Sequence, residues 1–343
     1  MAFPYVLPLN STADSARSIL ASFPVDWYDQ VRTNGPLPVI LFIHGGDQNA
    51  FDFMFTTFKI TDWWKTAFPF QSKAIAIGLQ GISLDSNGGD WNAGNMGTAN
   101  RLPGAQDSAF AWDTLNRVDR WLVEWFRKEI HPVVGGANIT QVIDRQKLLM
   151  VGFSQGGQFA YRLAFEAPRE NWKCSALAVF GTSIGGWYRE VDHAFPRPPN
   201  VDWTPTGEPP ALFHVHGTLD PKVNVTTDGP SADTITAITD QVGGGLVNNY
   251  ARADISGSNS TAAYAGRVTA LGWPFVAGAV PPSSIPAAVV AVTTFTVANW
   301  NKPGGGSPDY QICFADVGGG MLHEVPYWAP EAVAEFFQLW GGL

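Results

Sequence analysis

The sequence predicts an α/β fold in which helices flank a mainly parallel central sheet. Short apolar segments of strand length alternate with helical patterns, which is typical of parallel sheets built from strand–helix–strand units. One of these segments runs directly into a Gly-x-Ser-x-Gly turn and a helix, and another runs into His-Gly-Gly. The predicted core strands are 39–43, 74–79, 148–151, 176–180, 211–216 and 310–315.

The remaining elements follow from periodicity. Residues 110–130 carry an apolar stripe at helical spacing and are predicted as a crossover helix. Pro330 is expected to open a C-terminal helix, with apolar residues three and four positions apart after it. Residues 1–37 are expected to add edge structure before the first core strand. Residues 286–300 are predicted as a helix, because a right-handed crossover is expected before the last parallel strand.

One domain is expected over 1–343, with an insertion at 222–285. A mass of 37.1 kDa with 45% hydrophobic residues is enough for one large core. The insertion is rich in Ala, Gly, Ser, Thr, Val and Pro and has few charges. Loops of this length in compact domains are usually functional or disordered. A lid or substrate-shaping cap is therefore expected, with a surface excursion as the alternative.

Composition excludes several classes of partner. A net charge of −9 and a pI near 5.1 oppose nucleic-acid binding. Apolar runs are too short to span a bilayer. Metal-ligand clusters and phosphate-binding loops are not evident, so no cofactor and no metal are expected. Cys174 and Cys313 lie in strands that should not be neighbours, which predicts two buried thiols. A monomer is favoured, and a signal peptide is not visible.

The segment Leu148–Gly157 predicts a nucleophile. A buried strand, a tight turn and an amphipathic helix succeed one another, with Ser154 at the tip of the turn. Side chains at Gly152 and Gly156 would collide with neighbouring backbone. The helix N-terminus behind Ser154 favours developing negative charge. A serine in a Gly-rich turn without catalytic function is the alternative.

Ser154 needs a base, because an unassisted hydroxyl is a poor nucleophile. In folds with this elbow the acid follows the serine and the histidine comes last. Asp220 follows an apolar strand in His216-Gly-Thr-Leu-Asp220, at the strand's carboxyl end. His323 is the one histidine after Asp220. Asp192 and Asp202 are reserve acids, and a structural role is expected for His214 and His216.

A third strand ends in His44-Gly45-Gly46-Asp47, the kind of loop that aims a backbone N–H at a tetrahedral oxyanion. We expect one donor from Gly46 or Asp47 and a second from the N–H of Gln155. His44 is expected to support this loop and to border the substrate site. A plain strand-to-helix turn is the alternative.

Taken together, these motifs resemble those of the α/β-hydrolase esterases grouped around polyhydroxybutyrate depolymerases and feruloyl or acetylxylan esterases. The matching segments are 44–50, 91–94, 144–145, 152–157 and 216–220. The resemblance implies the α/β-hydrolase fold, hydrolysis of carboxylic esters and a catalytic triad of Ser154, Asp220 and His323. It also favours an extracellular or periplasmic location.

The sequence therefore predicts a serine esterase that forms an acyl-Ser154 intermediate. Aromatic residues expected at the rim of the site favour aromatic or short-chain polyester-type substrates. These substrate-binding candidates are Trp91, Phe153, Trp187 and Tyr188. A serine peptidase on the same fold and a non-catalytic binding protein are the alternatives.

Overall fold

The computed structural model describes residues 4–7, 17, 19–65, 68–69, 73–85, 88–91, 107–136, 138–182, 210–222, 275–276, 281–300 and 310–343. In chain order its strands are β1 (Pro4–Leu7), β2 (Ile19–Ser22), β3 (Leu37–Ile43), β4 (Ile75–Leu79), β5 (Ile82–Asp85), β6 (Gly88–Asp90), β7 (Ile143–Phe153), β8 (Cys174–Phe180), β9 (Ala211–Gly217), β10 (Phe275–Val276), β11 (Thr293–Trp300) and β12 (Tyr310–Val317).

The α-helices of the described residues are α1 (Trp27–Asn34), α2 (Ile60–Trp63), α3 (Asp107–Trp125), α4 (His131–Val134), α5 (Ser154–Glu166), α6 (Ala287–Val290) and α7 (Ala329–Phe336). Short π-helical segments cover Asp52–Thr57, continue α3 through Phe126–Ile130 and continue α7 through Phe337–Gly341. The predicted crossover helix, α3, and the predicted C-terminal helix, α7, are thus confirmed. Each of them ends in a π-helical turn.

Ten of the described strands form one sheet in the order β1-β2-β4-β3-β7-β8-β9-β12-β11-β10. The six strands from β4 to β12 in this order run parallel to one another. At one end of the sheet, β2 is antiparallel to β4 and to β1. At the other end, β11 is antiparallel to β12 and to β10. The prediction of a mainly parallel sheet flanked by helices is confirmed, as is the edge structure before β3.

The centre of the sheet is buried on both faces. Residues Leu148–Phe153 of β7 are almost inaccessible to solvent, and so is Val39 on the neighbouring strand β3. This agrees with the continuous apolar runs in the sequence. Helix α5 packs Phe159 and Leu163 into this core. Parallel strands that end together bring their following loops to one edge of the sheet, where α/β proteins bind ligands. The loops after β3, β7, β8, β9 and β12 share that edge.

The prediction of a helix over 286–300 is wrong. Only Ala287–Val290 is helical, and β11 follows at Thr293–Trp300, antiparallel to β12. β-Branched residues such as Thr294 and Val297 favour a strand over a helix. Because β12 has an antiparallel partner directly before it in the chain, a crossover helix is not needed at that point.

The predicted insertion at 222–285 lies mostly outside the described residues. Its described part includes β10, which pairs with β11 and extends the edge of the sheet. Cys174 and Cys313 are buried free thiols on β8 and β12, two strands that β9 separates. The prediction of two unpaired thiols is confirmed.

Candidate active site

The turn between β7 and α5 has the geometry of a nucleophile elbow. Ser154 adopts the left-handed region with a φ of 51°, which is uncommon for a residue with a side chain. A Cβ at Gly152 would lie 2.7 Å from the Cα of Gly157. A Cβ at Gly156 would overlap the backbone carbonyl oxygens of Ile43 and His44. Both motif glycines are therefore required by the close approach of backbone, as predicted.

The three residues proposed from spacing meet at this elbow. The Nε2 of His323 lies 2.8 Å from the Oγ of Ser154, and its Nδ1 lies 2.7 Å from the Oδ2 of Asp220. Asp220 follows β9 and His323 follows β12, so each side chain comes from the carboxyl end of a different parallel strand. The side chain of Asp220 is fully buried, whereas that of His323 is 8% exposed. The distances suit proton transfer from the serine to the imidazole.

Two residues that the sequence analysis did not single out support this arrangement. The hydroxyl of Thr182 donates a 2.7 Å hydrogen bond to the carbonyl oxygen of Ser154. A Cβ at Gly181 would lie 3.2 Å from the Nδ1 of His323 and 3.3 Å from the Oδ2 of Asp220. Both residues directly follow β8 at the ligand edge of the sheet. Their position after a buried parallel strand was the signal that would have indicated them.

The loop after β3 lies against the elbow and is held by His44. The backbone N–H of Gly81 donates to Nε2 of His44 at 3.0 Å, so this nitrogen carries no proton. The proton is then on Nδ1, which donates to the carbonyl oxygen of Gly45 at 2.7 Å. The Gly45 N–H in turn donates to Oε1 of Gln48 at 2.9 Å. His44 thus joins the loop to the end of β4.

His44 and Trp91, two of the substrate-binding candidates, lie in the core and not at the exposed rim where the sequence placed them. Both side chains have no exposed surface. The indole N–H of Trp91 donates to the carbonyl oxygen of His44 at 2.8 Å, and its backbone N–H donates to Oε1 of Gln155 at 2.9 Å. Its ring stacks on Phe159. Trp91 therefore connects the β3 loop to the elbow from inside the core.

The other predicted site residues have different outcomes. Phe153 is 6% exposed and packs on His323, with 4.9 Å between ring centroids. Gly46 is half-buried and Asp47 is exposed, with a φ of 58° in the turn after β3. Gln155 is half-buried in the first turn of α5, where backbone N–H groups have no acceptor within the helix. Trp187 and Tyr188 lie outside the described residues, as do the reserve acids Asp192 and Asp202.

Burial lowers the pKa of His44 to about 4, although its hydrogen bond to Gly45 opposes this shift. In an unfolded chain the pKa is near 6.5. Between pH 6.5 and 4 the unfolded state therefore binds a proton that the folded state does not, so stability must fall as the pH falls through this window. The expected loss in the free energy of unfolding is about 2–3 kcal/mol between pH 7.5 and 4.5.

The His44→Asn variant tests this expectation, since Asn retains a donor near the Nδ1 position and does not titrate. Urea unfolding at pH 7.5 and 4.5 should show a smaller loss of stability in His44→Asn than in the wild type. His131→Asn, at a partly exposed histidine on α4, should behave as the wild type. Equal losses in the wild type and His44→Asn would contradict the assignment.

The described part of the chain has neither a membrane-spanning helix nor a cluster of metal ligands. Within it, no helix is both long and apolar enough to cross a bilayer. The same residues contain no group of three or more His, Cys, Asp or Glu side chains arranged to hold a metal ion.

The decisive observation for the fold is the combination of this elbow with the parallel strand order around it. A central strand enters the elbow, the acid follows β9, and the histidine follows the next strand of the sheet, β12. The chain has the α/β-hydrolase fold. No family model and no curated protein sequence matches it.

The solved structures to which the chain is similar include three enzymes of low sequence identity. The acetyl xylan esterase from Aspergillus awamori has a TM-score of 0.48 at 12% identity, and the alignment covers 95% of this chain and 95% of that one. The S-formylglutathione hydrolase from Staphylococcus aureus has a TM-score of 0.39 at 12% identity, covering 64% of this chain and 81% of that one. A ferulic acid esterase has a TM-score of 0.36 at 16% identity, covering 54% and 62% respectively.

Proposed function

We propose that this protein is a serine carboxylic-ester hydrolase that acts through an acyl-Ser154 intermediate. The observation that carries the proposal is the continuous series of contacts from Ser154 to His323 to Asp220, at 2.8 and 2.7 Å. A serine, an imidazole and a buried carboxylate in this order form the arrangement that activates a hydroxyl for acyl transfer.

In the proposed reaction, Oγ of Ser154 attacks the ester carbonyl carbon while Nε2 of His323 accepts the hydroxyl proton. Asp220 holds the Nδ1–H of His323 and stabilises the imidazolium. Collapse of the tetrahedral intermediate breaks the bond to the alcohol, which takes the proton from Nε2. Water, deprotonated by the same nitrogen, then attacks the acyl-enzyme and releases the acid and the free Ser154 hydroxyl.

The negative oxygen of the tetrahedral intermediate requires backbone donors. We assign these to the N–H of Gln155 and the N–H of Gly46 or Asp47. The first turn of α5 leaves its N–H groups without helical acceptors, and the helix dipole favours an anion there. The β3 loop touches the elbow, because the backbone of His44 lies within contact of Gly156. One such donor typically contributes on the order of 10²–10³ in rate.

An apolar rim supports ester substrates with apolar groups. Leu219 precedes Asp220 and is 60% exposed, and Leu322 precedes His323 and is 51% exposed. The N–H of Leu219 donates to the carbonyl oxygen of Met321 at 3.3 Å, so the two loops lie side by side. Exposed leucines beside a reactive serine favour aromatic or short-chain polyester-type esters over charged substrates. The 222–285 insertion, which follows Asp220, is proposed as a lid or cap over this rim.

A substrate panel tests the proposal. The wild-type protein is expected to hydrolyse at least one of p-nitrophenyl acetate, a hydroxybutyrate ester, a feruloyl ester and a terephthalate ester. A peptide p-nitroanilide is expected to react at least a hundredfold more slowly in kcat/KM. Turnover of the peptide while all four esters stay intact would favour a peptidase and contradict the proposal. Inertness toward all five would favour a binding protein.

A further inference from the structure

Behind Asp220, a chain of polar side chains extends into the core on the side away from Ser154. The Nε2 of His216 lies 3.3 Å from the Oδ2 of Asp220. The Nδ1 of His216 lies 3.4 Å from the Nε2 of His214, and the Nδ1 of His214 lies 2.8 Å from the hydroxyl of Tyr161. We call His216, His214 and Tyr161 the histidine chain. It continues the Ser154–His323–Asp220 series in the opposite direction.

The position of the histidine chain follows from β9 and α5. His214 and His216 are two residues apart on β9, so their side chains stand on the same face of the sheet. Their rings stack with 5.7 Å between centroids. Tyr161 reaches them from α5, the helix that begins at Ser154. The nucleophile and the far end of the histidine chain therefore belong to one helix.

Burial makes these contacts energetically important. Tyr161 and His216 have no exposed surface, and His214 is 4% exposed. Polar side chains at such positions cost free energy unless their hydrogen-bonding groups are paired. Apolar residues fill the other face of the strand, as at Phe213 and Val215. Two apolar side chains would fill the same space without this cost. The presence of His214 and His216 therefore indicates a role for their hydrogen bonds.

The protons of the histidine chain have one consistent arrangement. Ionised Asp220 only accepts hydrogen bonds, so the Nε2 of His216 carries a proton. A neutral His216 then presents an unprotonated Nδ1, which suits the Nε2–H of His214. His214, also neutral, has an unprotonated Nδ1 that accepts from the Tyr161 hydroxyl. Each donor in the series points toward Asp220, and both imidazoles use both nitrogens without carrying a charge.

Asp220 thus has donors on both carboxylate oxygens. The backbone N–H of Lys222 donates to Oδ1 at 2.8 Å. Oδ2 faces both His323 and His216. A carboxylate held in this way has one orientation, and the orientation of Asp220 fixes the tautomer and direction of His323.

We propose that His216 is a positioning residue of the catalytic triad, which holds Oδ2 of Asp220 toward His323, and that His214 and Tyr161 fix the tautomer in which His216 donates. The inference rests on the proposed esterase function. The hydrogen bond from His216 goes to the charged carboxylate of Asp220, and bonds of this kind are strong. If this bond stabilises the transition state, its loss is expected to lower kcat by about tenfold to a hundredfold.

Ester hydrolysis by three variants tests the histidine chain. His216→Leu is expected to lower kcat by about tenfold to a hundredfold with less than a twofold change in KM. His216→Gln, whose Nε2 can replace the donor, is expected to recover kcat to within about threefold of the wild type. Tyr161→Phe keeps the aromatic ring and removes the hydroxyl at the far end of the histidine chain. It is expected to lower kcat as well, but by less than His216→Leu does. His131→Leu, remote from the site, is the matched control.

The outcomes separate this inference from the proposed function. If His216→Leu and Tyr161→Phe are folded and retain the wild-type kcat, or if Gln restores nothing, His216 is only a core residue and the inference is overturned. If His216→Leu does not fold, Tyr161→Phe and His216→Gln still decide between these results. Wild-type protein that hydrolyses none of the four esters would overturn the proposed function and the inference together.

Discussion

Alanine at position 154 is expected to lower kcat for any hydrolysed ester by about 10⁵-fold, with little change in the free energy of unfolding. Removing the nucleophile of a triad typically costs 10⁴–10⁶ in kcat, because the remaining groups only bind and polarise the substrate. The lost hydroxyl contacts His323, which is partly exposed, so water can replace it. Steady-state kinetics with urea unfolding of the same samples measures both quantities.

Ser175→Ala is the matched control for this prediction. The hydroxyl of Ser175 also makes one hydrogen bond, to the carbonyl oxygen of Gln146 at 2.9 Å, but it lies at the opposite end of β8 from the site. The Ser175→Ala variant should have the same kcat as the wild type. A Ser154→Ala protein that keeps activity within tenfold of the wild type would show that Ser154 is not the nucleophile.

Alanine at position 156 is expected to cause the largest structural effect of any small substitution near the site. The added methyl group would overlap the carbonyl oxygens of Ile43 and His44, which belong to the backbone of β3 and its loop. Backbone in a buried central strand cannot move aside as a flexible side chain can. We expect a loss of about 4 kcal/mol or more in the free energy of unfolding, or insoluble protein.

Gly135→Ala separates this collision from the general cost of replacing a glycine. Gly135 has a φ of 64°, and a Cβ there would meet nothing within 4 Å. The expected cost is about 1–3 kcal/mol, from the backbone alone, because a φ of 64° with a ψ of −164° is a conformation that only glycine adopts readily. Urea unfolding of both variants gives the comparison. A Gly156→Ala protein as stable as Gly135→Ala would mean that the loop after β3 does not lie against the elbow.

Much of the fold was readable from the sequence because its central strands are buried on both faces. Continuous apolar runs located β3, β4, β8 and β9 to within two residues, and the buried second half of β7, although β7 begins five residues before the predicted start. These strands determine where their loops meet. The order of Ser154, Asp220 and His323 along the chain then sufficed to predict three side chains that the structure brings into contact.

Other features depended on contacts that a linear pattern does not record. Residues 286–300 carry mixed helix and strand signals, and only the pairing with β12 makes β11 a strand. Trp91 was expected at the rim because it follows a strand, yet its indole has a buried acceptor in the β3 loop. The histidine chain had a readable signal in the two-residue spacing of His214 and His216, but its partner Tyr161 is 53 positions away from His214.

Reaction with a fluorophosphonate probe, followed by mass-spectrometric mapping of the adduct, tests the central claim most directly. The probe phosphonylates a serine whose hydroxyl is activated by a neighbouring base, with loss of fluoride. We predict one adduct, on Ser154, that is absent in Ser154→Ala and forms far more slowly in His323→Ala. An adduct on another serine, or labelling that survives Ser154→Ala, would contradict the account.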